Sequence, residues 1–196
     1  MSLRYVALGD SVAVGYRAAP GLEYVSLIYR HLSRVNPEWR FWKVARAGAT
    51  TADLLPQVAA ALTLRPRLIT LDIGGNDLRR ALPYPLRAIP FSAANLERAL
   101  EALRATGAAV FVADVYNPAP RGTALHAAVQ EYVSAFNRAL GQVVAGHGAV
   151  LVPVGAALAR SPETVFARDR LHPSTEGHAV IAAAFLRAGV ARLASG

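Results

Sequence analysis

The chain has 196 residues, of which 54% are hydrophobic, so it can bury a core and is too apolar to be disordered. This length predicts one domain over residues 1–196. The absence of cysteine excludes disulfides, thiolate metal sites and a cysteine nucleophile. The net charge is +8, but the 21 basic residues are scattered along the chain and all except Lys43 are arginine. We therefore expect no nucleic-acid partner.

The N-terminal sequence MSLRYVALGD leads directly into a strand pattern. It lacks the basic segment, long apolar core and small-residue cleavage site of a secretory signal. No apolar run approaches the roughly 20 residues that span a bilayer, so no transmembrane segment is expected. These features predict a cytoplasmic chain, although a secreted chain whose leader had been removed would have the same sequence. Nothing in the sequence indicates an oligomeric state.

Strand-like and helix-like segments alternate along the chain. Apolar segments predict five strands, at residues 3–8, 39–45, 67–73, 108–115 and 149–154. Helical spacing of apolar residues predicts helices at residues 22–35, 51–62, 92–106, 125–145 and 175–194. Ser92 is expected to cap the third of these helices. The alternation predicts an α/β fold with a five-stranded parallel sheet covered by helices on both faces.

Two stretches without a clear period follow strands, at residues 77–91 and 114–124. Both are either connecting loops or walls over a site at the same edge of the sheet. The first contains three prolines and several large apolar side chains, and Tyr116 lies in the second. We expect an apolar wall from Leu82, Tyr84, Leu86, Ile89, Phe91 and Tyr116.

Polar residues collect just beyond the predicted strand ends. Ser11 follows the first strand, Gly48 precedes a helix after the second, and Asn76 follows the third. Asp169 and His172 lie near the C-terminus. Because the carboxyl ends of parallel strands share one edge of a sheet, these residues are candidates for a single site.

This set contains the groups that acyl transfer requires. A serine hydroxyl needs a base to remove its proton, and His172 is the candidate base. Asp169 lies three positions earlier and could hold the other imidazole nitrogen. The backbone N–H groups of Ser11 and Gly48 and the side chain of Asn76 are candidate oxyanion donors.

Each of these residues also has an ordinary structural interpretation. Ser11 and Gly48 alone are more typical of turns, Asn76 belongs to a common turn pair, and His172 could be a surface residue before a helix. Asp10 and Asp77 are expected to cap helices or brace loops rather than to be catalytic. Surface or packing roles are expected for His126, His147 and His178.

Four blocks of sequence, in order, resemble those of the SGNH hydrolases, also called GDSL-type esterases or lipases. They are GDS at 9–11, Gly48 within AGATT, GGND at 74–77 and DRLHP at 169–173. The resemblance implies a flavodoxin-like α/β/α sandwich and a metal-free, cofactor-free serine ester hydrolase. It also implies Ser11 as nucleophile, His172 as base, Asp169 as its partner, and an oxyanion hole from Ser11, Gly48 and Asn76. Val12 replaces the leucine of the GDSL string, and Ala47 stands where a polar residue is often found.

Several functions remain open on this evidence. The leading hypothesis is an esterase or lipase acting on a small-molecule ester. Under this hypothesis the predicted apolar wall contacts the acyl group, which favours lipid-like or aryl esters over sugar esters. A carbohydrate O-deacetylase and a lysophospholipase or thioesterase are alternatives within the same family. The net charge of +8 motivates a non-catalytic binding protein for polyanions, and the carboxylates and histidines motivate a metal-dependent phosphoesterase.

Overall fold

A computed structural model describes residues 3–195, and its centre is a five-stranded sheet. All neighbouring strands are parallel, and their spatial order is β2-β1-β3-β4-β5. The strands are β1 (Arg4–Gly9), β2 (Arg40–Lys43), β3 (Leu68–Asp72), β4 (Ala109–Ala113) and β5 (Val150–Val152). This is the strand order of the flavodoxin-like doubly wound fold, so the predicted fold class is confirmed.

Helices cover both faces of the sheet. They are α1 (Ser11–Val14), α2 (Tyr24–Val35), α3 (Leu54–Leu64), α4 (Gly75–Arg80), α5 (Ala88–Arg104), α6 (Ala124–Gly146), α7 (Val154–Ala159) and α8 (Thr175–Ala188). One buried cluster joins the sheet to α2, α7 and α8, and the other joins it to α3, α5 and α6. None of the helices within residues 3–195 is long and apolar enough to cross a membrane.

The continuous apolar strands follow from burial on both faces. In β1, Tyr5 and Ala7 belong to one core cluster, whereas Val6 and Leu8 belong to the other. Because successive side chains of a strand point to opposite faces, every position of such a strand must be apolar. The pattern in the sequence therefore reports the three-layer arrangement directly.

The stretch 77–91, predicted to be irregular, contains more helix than expected. Helix α4 extends to Arg80, a short 3₁₀ turn covers Pro85–Arg87, and α5 begins at Ala88. The predicted Ser92 cap is wrong, because Ser92 lies in the second turn of α5 and is buried. Pro90 is tolerated there because the first turn of a helix needs no backbone donor from it.

The remaining differences concern helix ends and short helices. The last predicted helix was expected to continue to residue 194, but α8 ends at Ala188. Gly189 has φ 134°, a conformation that breaks the helix, and a 3₁₀ turn follows. Helices α1, α4 and α7 were not predicted, because segments of four to six residues are too short to establish a period.

Candidate active site

Ser11 lies at the start of α1, immediately after β1. Gly9 has φ 135°, and a Cβ at this position would stand 2.1 Å from the Asp72 carbonyl oxygen, so only glycine fits the bend. The side chain of Gln57 holds Gly9 on both sides, accepting from its N–H at 2.8 Å and donating to its carbonyl at 3.0 Å. Asp10 caps α1 by accepting from the Val12 N–H at 3.0 Å. The turn therefore fixes Ser11 at the edge of the sheet.

Ser11, His172 and Asp169 form a continuous chain of hydrogen bonds. Ser11 Oγ lies 3.1 Å from His172 Nε2, and His172 Nδ1 lies 3.0 Å from Asp169 Oδ2. A carboxylate can only accept, so Nδ1 carries the proton in the neutral imidazole and Nε2 is free to accept from the serine hydroxyl. The three residues predicted from sequence are brought together in the order that general-base activation of a serine requires.

Asp169 is surrounded by donors. Its Oδ1 accepts from the backbone N–H groups of Leu171 and His172, and its Oδ2 accepts from Arg17 Nε at 2.9 Å as well as from His172 Nδ1. Desolvation acts to raise the pKa of Asp169, but these hydrogen bonds outweigh it and hold the pKa well below its usual range. Asp169 is therefore ionised at neutral pH.

Arg17 and Tyr16 enclose the outer side of the histidine. The Arg17 guanidinium lies 4.7 Å above the Tyr16 ring, and the Tyr16 ring meets the His172 imidazole edge-on at 4.6 Å. Arg17 adopts φ 70°, which turns its side chain back toward Asp169. Neither residue was identified from the sequence, because nothing in its spacing relates position 17 to position 169.

The candidate oxyanion donors differ in whether they already donate a hydrogen bond. The backbone N–H groups of Ser11 and Gly48 donate none of the hydrogen bonds found among residues 3–195. Asn76 Nδ2 donates to the Ala49 carbonyl at 2.9 Å and to Asp10 Oδ2 at 3.2 Å. Asn76 lines the cavity beside Ser11, whereas Gly48 lies outside the set of lining residues.

Asp10 and Asp77 have the supporting positions expected from sequence. Asp77 accepts from the N–H and hydroxyl of Thr51 and from the Ser92 hydroxyl, and so ties the loop after β2 to α4 and α5. Asp10 caps α1 and also receives the Asn76 amide. Within residues 3–195, no group of three or more His, Asp or Glu side chains has an arrangement that could hold a metal ion.

A second group of carboxyls lies buried beneath Ser11. Burial raises the pKa of Asp10 to about 7, and it raises the pKa of Asp72 well above its usual value. Burial also raises the pKa of Asp114 to about 6, against hydrogen bonds from backbone N–H groups that include that of Gly155. Asp72 Oδ2 is buried and has no hydrogen-bond partner among residues 3–195. The signal for this group was available, since Asp72 interrupts an otherwise apolar strand.

His178 is fully buried, which agrees with a packing role. Its Nδ1 accepts from the Tyr24 N–H at 3.3 Å, and its Nε2 lies 3.4 Å from the Tyr16 carbonyl. Burial lowers the pKa of His178 to about 4, so it stays neutral at neutral pH. Because its two contacts lie in the segment that carries Tyr16, His178 supports one wall of the site.

A cavity of about 450 Å³ opens beside Ser11, and we call it the Ser11 cavity. Ser11, His172 and Asn76 line one end of it. The rest of the wall is mostly apolar and comes from α4, α6 and the stretches at 115–120 and 170–172, with Leu82, Val115, Pro118, Leu125, Val129 and Tyr132 among its residues. Its size is typical of a small-molecule site.

The predicted substrate-contact residues fall into two groups. Leu82 and Tyr116 line the Ser11 cavity, and the Tyr116 hydroxyl donates to the Leu171 carbonyl at 2.9 Å. Tyr84 and Leu86 line a neighbouring cavity of about 390 Å³ instead, which we call the Tyr84 cavity. Neither cavity has Ile89 or Phe91 in its lining. Ile89 packs against the core, and Phe91 is 74% exposed.

Comparison with known proteins agrees with the fold and with the family resemblance of the four sequence blocks. The chain matches the GDSL-like Lipase/Acylhydrolase family over residues 7–180. A spore germination lipase from Bacillus licheniformis is 26% identical to this chain over an alignment of 216 positions, gaps included. The alignment covers 98% of this chain and 99% of that protein. A GDSL-like esterase from Mycobacterium tuberculosis is 32% identical over 187 residues, which cover 89% of this chain and 57% of that protein.

Solved structures include a lipase from a goat rumen metagenome that superposes with a TM-score of 0.84 at 25% identity, covering 97% of this chain and 99% of that chain. The family match and the match to the Bacillus licheniformis lipase extend over all four blocks that carry the resemblance. The chain therefore belongs to the GDSL-like lipase/acylhydrolase family of the SGNH hydrolases, and it is a carboxylic ester hydrolase.

Proposed function

We propose that this hydrolase cleaves esters through an acyl-enzyme formed on Ser11. The observation that carries the proposal is the hydrogen-bonded chain from Ser11 through His172 to Asp169, which opens onto an apolar cavity. Ser11 Oγ attacks the ester carbonyl carbon while its proton passes to His172 Nε2. The resulting imidazolium is stabilised by ionised Asp169 and then protonates the leaving alkoxide.

The second half of the reaction reverses these roles. A water molecule donates its proton to His172 Nε2 and attacks the acyl carbon, and the carboxylic acid leaves as Ser11 Oγ recovers the proton. No other residue needs to titrate in either half. Asp169 serves throughout as the group that keeps the Nδ1 proton in place, a role that its four hydrogen bonds support.

The oxyanion hole in this proposal is made by the N–H groups of Ser11 and Gly48 and by the Asn76 amide. The two backbone donors have no competing acceptor among the described residues. Both amide protons of Asn76 are engaged, so its weaker bond, at 3.2 Å to Asp10, is the one to be exchanged for the oxyanion. A neutral Asp10 holds that amide less tightly than an ionised one would, because hydrogen bonds to charged groups are the stronger.

The cavity favours an ester with an aliphatic acyl group. Its walls beyond the catalytic end are mostly proline, leucine and valine side chains, with Tyr116, Tyr132, Arg79 and Arg170 also in the lining. Such a mainly apolar wall offers few hydrogen bonds for the hydroxyls of a sugar. A lipid or other medium-chain ester is therefore the better candidate, and the lipase and esterase named above are consistent with it. The deacetylase alternative predicts the opposite preference.

Hydrolysis of p-nitrophenyl esters from acetate to hexadecanoate tests the proposal. We expect activity that rises from acetate to medium chains, survives EDTA, and is abolished by a serine-directed fluorophosphonate. Ser11→Ala should remove the activity, whereas Ser33→Ala, a change in a partly exposed serine of α2, should retain it. Equal rates for wild type and Ser11→Ala would refute the nucleophile, and a preference for acetylated sugars would refute the substrate class.

A further inference from the structure

The Ser11 cavity and the Tyr84 cavity lie side by side. Tyr132 lines both of them. On the opposite wall, Leu82 lines the first cavity and the adjoining Pro83 lines the second, so one segment of chain runs past both. The two cavities thus meet at Tyr132 and at the junction between Leu82 and Pro83.

Helix α6 explains why Tyr132 is the shared residue. Leu125, Val129 and Tyr132 recur at helical spacing and face the Ser11 cavity, and Ala128, Glu131 and Tyr132 face the Tyr84 cavity. Residues three and four apart lie on one face of a helix, so these two sets form adjacent stripes. Tyr132 stands where the stripes meet and is the α6 residue that lines both cavities.

The Tyr84 cavity has the surface that an alkyl chain needs. Pro83, Tyr84, Pro85 and Leu86 supply an apolar wall. Its two charged lining residues have opposite signs and are exposed, and the Arg87 guanidinium is stacked over the Tyr84 ring at 4.5 Å. The cavity therefore has no net charge with which to select an ionic ligand, and apolar burial is the interaction it offers.

The ring of Tyr132 is held by packing. Its hydroxyl makes none of the hydrogen bonds found among residues 3–195, and the residue is partly buried. Displacing or trimming the ring breaks no hydrogen bond that the structure depends on. This separates Tyr132 from Tyr116, whose hydroxyl is fixed to Leu171 on the other side of the Ser11 cavity.

We propose that the Tyr84 cavity is a distal subsite for long acyl chains and that Tyr132 is the partition that sets the longest chain accepted. This inference rests on the proposed function, because the acyl group must enter from Ser11. In the wild type, a medium chain ends against the Tyr132 ring. A longer chain reaches the wall formed by residues 83–86 only when that ring is displaced or removed.

Chain-length profiles of Tyr132 variants test this proposal. Tyr132→Ala should raise kcat/KM for hexadecanoate relative to butyrate, by up to about fourfold for each additional methylene that becomes buried. Tyr132→Phe keeps the ring and should keep the wild-type profile. Ala128→Trp, on the exposed face of α6, fills the Tyr84 cavity and should cancel the gain when combined with Tyr132→Ala. Tyr132→Leu serves if the alanine variant fails to fold.

A binding measurement makes the result independent of catalysis. In the Ser11→Ala background, Tyr132→Ala should tighten the binding of hexadecanoate relative to octanoate by calorimetry, and adding Ala128→Trp should reverse that change. If the wild type showed no Ser11-dependent esterase activity, the proposed function would be refuted, whereas this binding shift would still support the distal subsite. Identical profiles for the alanine and phenylalanine variants, or a gain that survives Ala128→Trp, would overturn the proposal.

Discussion

Two carboxyl groups near Ser11 occupy opposite environments. Asp169 is one-quarter exposed at its side chain and accepts four hydrogen bonds, which hold its pKa below the usual range. Asp72 is buried, its Oδ2 has no hydrogen-bond partner within the described part of the chain, and burial raises its pKa. The difference shows that the number of donors and the exposure to water, rather than the residue type, decide which carboxyl is ionised.

The two environments suit different tasks around one serine. An ionised Asp169 can stabilise the imidazolium of His172, whereas negative charge on Asp10 or Asp72 would oppose the oxyanion that develops beside Ser11. Burial keeps Asp10 and Asp72 neutral over more of the pH range than an exposed carboxyl would be. Substitutions that alter one environment at a time should therefore separate the two tasks.

The largest effect is expected from the ionised side. Asp169→Asn removes the acceptor that fixes the Nδ1 proton of His172, and kcat should fall by about 10⁴, as in other serine triads. Glu97→Gln, an exposed carboxyl on α5, is the control and should leave kcat unchanged. A loss of less than about tenfold would contradict the role proposed for Asp169.

Asn76 connects the two sides, because it lines the Ser11 cavity and bonds to Asp10. Asn76→Ala should lower kcat by about 10²–10³ with little change in KM, since an oxyanion donor acts mainly in the transition state. Asn95→Ala removes an amide that donates to Thr51 away from the cavity, and it controls for general destabilisation. A rise in KM at constant kcat would assign Asn76 to ground-state binding instead.

Asp72 should affect stability and its dependence on pH. The pKa of Asp72 is higher in the folded than in the unfolded protein. Its favourable contribution to the free energy of unfolding is therefore present below the unfolded pKa and is lost as pH rises through the folded pKa. The asparagine of Asp72→Asn does not titrate. The increase in unfolding free energy of this variant over the wild type should therefore grow with pH, and at pH 8 it should exceed the increase at pH 5 by about 1–3 kcal/mol. Urea denaturation at both pH values measures it.

Asp114→Asn provides the contrast for that experiment. Asp114 Oδ1 accepts from the Gly155 N–H at 2.7 Å, and its pKa is raised only to about 6. The donor stabilises the ionised form, so the pH-dependent gain of this variant should be smaller than that of Asp72→Asn. A larger gain for Asp114→Asn would mean that hydrogen bonding does not distinguish the buried carboxyls.

The sequence could predict the α/β fold and the residues of the site that lie in short ordered blocks. Sequence alone was enough to predict Ser11, Asp169 and His172, because each follows a recognisable element or lies in a recognisable block. The structure brings the three residues together. The role of Arg17 could not be predicted from the sequence, since its contact with Asp169 spans 152 positions and depends on a left-handed backbone conformation. The partition at Tyr132 likewise exists only once α6 packs beside residues 82–87.

Arg17 is expected to have the smallest effect and to act through Asp169. Its side chain is about half exposed, so the ion pair is screened, and Arg17→Gln should lower kcat/KM only about two- to fivefold. The loss should shrink at high salt. Arg104→Gln removes an arginine from a fully surface pair with Glu101 and is the matched control.

The pH profile separates this role from a structural one. The pKa of Asp169 is lower in the folded than in the unfolded protein. Its contribution to the stability of the fold is therefore present above the unfolded pKa and is lost as pH falls through the folded pKa. Without the guanidinium that pKa moves up toward its usual range, so the loss of kcat/KM caused by Arg17→Gln should grow as pH falls toward that range. A variant that loses stability but keeps the wild-type profile would show that Arg17 only secures the loop, and that the backbone donors of Leu171 and His172 suffice to keep Asp169 ionised.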